Sequence, residues 1–171
     1  MVENGNILKK VFFPREILPI SVVTAEAVNF IISTIIILGF VLFTGLGFSW
    51  HLLFYPFILL VGYTFLIAIS FLLSSITVYI RDIQHFVGIF LQLLFYATPI
   101  AYSVSRVPEA FQFIVTLNPA AYIIEGCRSI FIYHQVPDVP GLLMVFGISI
   151  ILCIINYLIF QKLQKNFAEQ L

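Results

Sequence analysis

Of 171 residues, 61% are hydrophobic and 9% are charged, the formal net charge is +0, and the mean hydropathy is +1.11. A soluble domain is about 45–50% apolar and about 25% charged, so this chain cannot cover its apolar surface with polar side chains and its solvent is lipid. Lys and Arg total 8 and are scattered, which is too sparse for a phosphate-binding stripe and removes nucleic acid as an expected partner.

Residues 1–20 carry Glu3, Lys9, Lys10, Arg15 and Glu16 and lack the short apolar core and cleavage site of a signal peptide. Ile7, Leu8, Val11 and Phe12 fall at helical spacing, with Lys9 and Lys10 off that face, and Pro14 and Pro19 bracket Arg15 to Leu18. The pattern suits a short amphipathic helix on the inner membrane surface with a kinked entry into the bilayer; an ordinary juxtamembrane anchor has the same look.

Four apolar runs follow, at 21–45, 52–79, 86–104 and 141–160. Crossing the hydrocarbon takes about 20 residues, so each is read as a transmembrane helix. The first hairpin closes through Gly45 to His51, with Trp50 as a candidate interface anchor, and the second through Tyr79 to His85 around Arg81 and Asp82. With the N-terminus inside, Lys9, Lys10, Arg15, Arg81, Lys162 and Lys165 are cytoplasmic, and only Arg106 and Arg128 are outside. That bias predicts both termini, including the 161–171 tail, on the cytoplasmic side.

Residues 105–140 contain two apolar pieces too short to span, Ala110–Leu117 and Ala120–Tyr133. Pro108 then Glu109 reads as one helix start, and Asn118 then Pro119 as the N-cap and first position of another. The pair is expected to dip into the bilayer from outside and return, which would place it beside a pathway; a folded loop on the outer surface is the plainer alternative. The predicted fold is all-α: one polytopic domain of four transmembrane helices, a cytoplasmic amphipathic helix and two short outer re-entrant helices.

Polar residues recur on single helical faces inside the spans. They are Glu26, Asn29 and Ser33; Tyr63, Ser70, Ser74 and Thr77; His85, Gly88, Gln92, Tyr96 and Pro99; and Ser149, Cys153 and Asn156. Such stripes are either helix–helix contacts or the lining of a pathway. Ser70, Ser74, Ser149 and Cys153 are read as contacts, and Gln92 and Tyr96 as pathway. Glu26 stands a few residues into its run, so it either snorkels to the inner interface or pairs with a basic residue there. Tyr96, Tyr102 and Tyr122 lie near the outer end, as an interface belt or as platforms for sugar rings. Glu125 and Arg128 are spaced i, i+3 and can pair locally, as can Arg106 and Glu109.

Cys127 and Cys153 lack metal-ligand spacing and are read as apolar filler, and His51, His85 and His134 are scattered, so no metal site is expected. The sequence contains no GxxxxGK[ST] loop, GxSxG elbow or HExxH pair. Energy for uphill transport would therefore come from a partner or an ion gradient.

The segment Asn6 to Pro19, with Lys9-Lys10-Val11-Phe12-Phe13-Pro14-Arg15-Glu16 at its heart, resembles the cytoplasmic stretch before the third span of type-2 ABC exporter permeases. The likeness is to the O-antigen, teichoic-acid and capsular polysaccharide branch. Tyr79-Ile80-Arg81-Asp82-Ile83 is similar to that family's second cytoplasmic turn. Thr98-Pro99-Ile100 with Tyr102, Val107-Pro108-Glu109, Leu117-Asn118-Pro119 and Ile124-Glu125-Gly126 with Arg128 resemble its outer-gate region. The resemblance implies a transport subunit of the bacterial cytoplasmic membrane, not an enzyme, paired with a second permease copy and with separate ABC ATPase subunits that bind ATP and magnesium. The cargo it implies is a lipid-linked glycan. Lys9, Lys10, Arg15, Glu16, Arg81 and Asp82 would lie at the ATPase interface. Gln92, Tyr96, Pro99, Tyr102, Pro108, Asn118, Pro119, Tyr122, Glu125 and Arg128 would line the pathway or its gate. Family members carry two further spans before the Lys-Lys-Val-Phe-Phe-Pro-Arg-Glu segment, so the chain is expected to be the C-terminal portion of a permease. The alternatives are an exporter of drug or lipid cargo, a membrane-embedded enzyme on lipid-linked sugars, and a remnant without transport of its own.

Overall fold

The computed structural model describes residues 16–43, 49–80, 82–100 and 109–163. Helix α1 is Ile17–Phe43; a 3-10 turn at Trp50–Phe54 leads into α2, Tyr55–Tyr79; α3 is Ile83–Ala97. Two short helices follow, α4 at Glu109–Leu117 and α5 at Pro119–Arg128, the latter continued by a π turn at Ser129–Tyr133; α6 is Val139–Leu163. Among the described residues there is no strand.

Among the described residues, three helical stretches are long and apolar enough to cross a membrane, Ile17–Val41, Trp50–Tyr79 and Val139–Leu163. The first starts ahead of Pro19, because a proline in the first turn removes an N–H that had no intrahelical acceptor. Of the third expected span, 86–104, the described part ends at 100 and is helical to Ala97 within α3, whose 15 residues reach about 22 Å at 1.5 Å per residue. Thr98 ends it in extended conformation (φ −90°, ψ 135°), which is where the residue before a proline is pushed. Trp50, 91% exposed, sits at the head of the second stretch, placed as an interface anchor requires.

Helix α2 is the axis of the bundle. It runs parallel to α6, with Phe57 against Phe146 (ring centroids 6.4 Å), Phe71 against Phe160 (5.4 Å) and the Tyr79 hydroxyl donating to the Leu163 carbonyl at 3.2 Å. It runs antiparallel to α1: Tyr55 Oη donates to Thr34 Oγ1 at 2.8 Å, Tyr63 Oη and Thr24 Oγ1 lie 2.9 Å apart, and Ser70 Oγ donates to the Pro19 carbonyl at 3.5 Å. Several stripe residues therefore serve as helix contacts. Ser149 is buried and donates to its own Val145 carbonyl, and Asn156 Nδ2 donates to the Ala68 carbonyl at 2.8 Å. Hydrogen bonds between membrane helices average about 0.6 kcal/mol and reach about 1.7. Asn156→Leu is expected to cost about that much in detergent unfolding. A loss several times larger would mean that Asn156 does more than bridge α6 to α2.

Lys9, Lys10, Arg15, Arg81, Tyr102 and Pro108, with Arg106, Lys165 and the amphipathic stretch 7–13, lie outside the described residues.

Candidate functional site

The chemistry that sequence placed at the outer end gathers around α5. Asn118 is buried and caps the helix: its Oδ1 accepts from Ala120 N at 3.0 Å, with Pro119 at the first helical position. Its other arm reaches α3. Asn118 Nδ2 donates to Thr98 Oγ1 at 2.7 Å, and that hydroxyl donates to the Leu94 carbonyl at 2.7 Å. The helix break at Thr98-Pro99 and the helix start at Asn118 thus satisfy each other.

Arg128 does the same at the far end of α5. Its Nη1 donates to Glu125 Oε2 at 2.6 Å, the local i, i+3 pair. Its Nη2 donates to the carbonyls of Pro99 at 2.8 Å and Ile100 at 3.0 Å, just past the end of α3. Thr98, Pro99 and Asn118 are buried, and the Arg128 side chain is 13% exposed. Both ends of α5 are therefore fastened to the three residues that terminate α3.

The depth of this clasp follows from its neighbours. Thr116, Leu117 and Pro119, around the turn between α4 and α5, share a 120 Å³ hollow with Ile148, Ser149 and Leu152 of α6. Ser149 is ten residues after Val139, about 15 Å along α6 at 1.5 Å per residue. Gly126, near the other end of α5, lies against Ile58 and Leu142, each three residues after the start of its own long helix. Helix α5 thus runs antiparallel to α2 and α6, from the middle of the bundle to the end where those helices begin. A second hollow of 200 Å³ at that end is lined by Tyr122, Glu125, Ser129 and Asp138 among others.

A family model described as ABC-2 type transporter matches residues 1–132. The chain belongs to the ABC-2 type transporter family. It is similar to the O-antigen export system permease protein RfbA of Myxococcus xanthus, 33% identical over 171 residues, which are 99% of this chain and 66% of that protein. It is also similar to the protein of the same name from Klebsiella pneumoniae, 34% identical over 172 residues, 98% of this chain and 65% of that one. The chain therefore spans just under two thirds of the length of these curated relatives.

Other expected site residues of this ABC-2 family member stand apart from the clasp. Gln92 and Tyr96 are exposed on α3, where the Tyr96 ring meets Phe95 edge-on at 5.6 Å. Asp82 is exposed at the N-cap position of α3, and Glu16 immediately precedes α1. Sequence reasoning missed Asp138 and Gly141 as site residues and gave Thr98 only as part of the Thr98-Pro99-Ile100 motif. Asp138 Oδ1 accepts from Gly141 N at 3.2 Å and caps α6, a role signalled by an acid two residues before Pro140.

Gly141 admits the Tyr122 ring and the Asp138 carboxylate: a Cβ there would stand 2.6 Å from two ring carbons and closer still to Asp138 Oδ2. Gly141→Ala is expected to push α5 away from α6 and to cost about 1–3 kcal/mol by overpacking. Detergent unfolding of that variant measures it, and Gly141→Ala combined with Tyr122→Leu should recover part of the loss. No recovery would place the strain elsewhere.

Proposed function

We propose that this chain forms part of the membrane permease of an ATP-driven ABC exporter that moves a lipid-linked polysaccharide, of O-antigen, teichoic-acid or capsular type, across the bacterial cytoplasmic membrane. Family membership and the names of its relatives support transport. The observation that carries the reading is the α4–α5 turn, which lies level with the middle of α6 and has its polar groups satisfied by the end of α3. Broken helix at membrane depth is tolerated only where it is buried in protein or lines a cavity. The α4–α5 pair is read accordingly as a re-entrant hairpin beside the passage, and α3 with its capped end as the fourth span.

In this reading the chain is a transport subunit and not an enzyme. A second permease copy completes the passage, and ABC ATPase subunits beneath it bind ATP and magnesium. Both termini face the cytoplasm. Lys9, Lys10, Arg15, Glu16, Arg81 and Asp82 meet the ATPase. Closure of the ATPase then shifts α3, and the clasp at Asn118 and Arg128 carries the hairpin with it. Gln92, Tyr96, Pro99, Tyr102, Pro108, Asn118, Pro119, Tyr122, Glu125 and Arg128 line or control the opening.

The test supplies the whole protein and an ABC ATPase to a strain whose own polysaccharide permease is deleted. Surface glycan is scored by antibody, and ATPase recovery by pull-down. Restored surface glycan is expected, with ATPase recovery lost on charge reversal at Lys9, Lys10 and Arg15. A protein that binds an ATPase but restores no glycan would remove the polysaccharide reading.

A further inference from the structure

Glu26, Asn29 and Ser33 of α1 open onto a cleft of 560 Å³. Its floor is α2, at Ile58, Gly62 and Tyr63, and its far wall is α5, at Ala120, Ile123 and Ile124. Glu26 lies nine residues after Ile17, about 14 Å along α1 at 1.5 Å per residue. The contact between Thr24 and Tyr63, eight residues into α2, fixes the same level from the other side. The carboxylate thus lies further from the start of α1 than a glutamate side chain spans.

We infer that this cleft is a mid-depth sugar subsite in which Glu26 and Asn29 receive the hydroxyls of the transported glycan; the inference rests on the exporter reading above. Donors and acceptors there are unequal. Asn29 Nδ2 donates to Glu26 Oε2 at 3.5 Å, and Ser33 Oγ donates to the Asn29 carbonyl at 2.9 Å. The carboxylate, the Asn29 side-chain oxygen and the Ser33 lone pairs remain as acceptors. Among the described residues the ion pair formed is Arg128 with Glu125, and Glu26 has no cation. An occupant that brings donors suits these acceptors, and an ionisable residue within a span is by default the mark of a functional site.

Size and walls narrow the choice. Ligand sites of about 300–1,000 Å³ with apolar walls and few convergent polar groups suit small molecules. Sugar rings bring several hydroxyl donors on their edges and apolar C–H faces, which Phe30, Tyr63 and Phe65 can meet. Because α5 is one wall and is fastened to α3, movement of α3 also changes the width of the cleft.

The test is native mass spectrometry of the whole protein in a non-glycosidic detergent. Dodecyl maltoside is the probe and phosphatidylethanolamine the comparison lipid. The expected result is retained maltoside, weakened at least ten-fold by Glu26→Ala and by Asn29→Ala and less by Glu26→Gln. All variants should stay monodisperse, and the isosteric Glu26→Gln decides the matter if an alanine variant does not. Maltoside retained equally by all variants would overturn the subsite. So would Glu26-dependent retention of phosphatidylethanolamine in its place. Either result leaves the exporter reading intact, because export is scored separately in cells. Glu26-dependent maltoside binding by a protein that restores no surface glycan would keep a sugar site and remove the exporter reading.

Discussion

Arg128→Ala is expected to be the most damaging single change in the clasp between α3 and α5. The guanidinium spends one nitrogen on Glu125 and the other on the carbonyls of Pro99 and Ile100. Hydrogen bonds to a charged group contribute about 1.5–3 kcal/mol each, and removing one partner strands the others. The Glu125 side chain is 33% exposed, so water recovers part of its loss. The expected cost is about 2–4 kcal/mol of stability in detergent. Spin labels on the exposed Leu93 and Thr116 should show a broadened α3–α4 distance, and export should fall. Arg128→Lys keeps the charge but not the planar fork that serves two directions at once, so it should recover less than half of the loss. Glu125→Gln leaves both carbonyl contacts standing and should cost about 1 kcal/mol. Unchanged stability and an unchanged distance in Arg128→Ala would mean that α5 is held by packing alone.

What could be read from the sequence was local. Asn118-Pro119 announces a cap because cap and first helical position are neighbours, and Glu125 with Arg128 announces a pair because i, i+3 residues share a face. The second nitrogen of Arg128 was not legible: Pro99 and Ile100 are 29 and 28 residues away, and no periodicity links them. The bond that Thr98 makes was hidden for the same reason. Its partner Asn118 lies 20 residues on, and hydropathy does not register a helix that stops beneath an apolar run.

Pro19 occupies a first turn that tolerates it, so α1 begins at Ile17, four residues ahead of the apolar run read from 21, and Glu26 stands nine residues into the helix. The closeness of Tyr122 to Gly141 needs two helices docked before it exists.

Asn118 offers the finer dissection, because its two arms do different work. Asn118→Ala removes the cap from Ala120 N–H and the donor to Thr98 together. A lost cap costs about 0.5–2 kcal/mol in water. Beside the middle of α6, where water is not at hand, an unsatisfied backbone group costs more, so about 2–4 kcal/mol is expected in total. Asn118→Asp separates the terms: its carboxylate still accepts from Ala120 N–H but brings no donor to Thr98. Thr98 could then donate to the carboxylate only by leaving the Leu94 carbonyl, which keeps the Thr98 N–H; if the hydroxyl stays on Leu94, its oxygen faces the carboxylate with no proton between them, so α3 loses either a side-chain bond or its bridge to α5. Asn118→Asp is therefore expected to keep α5 helical while loosening α3. Amide exchange should quicken at Thr98, whose N–H donates to Leu94, and stay slow at Ala121, whose N–H donates to the Asn118 carbonyl. Equal quickening at both positions would mean that the two helices open as one unit and that the bridge between them carries no separate stability.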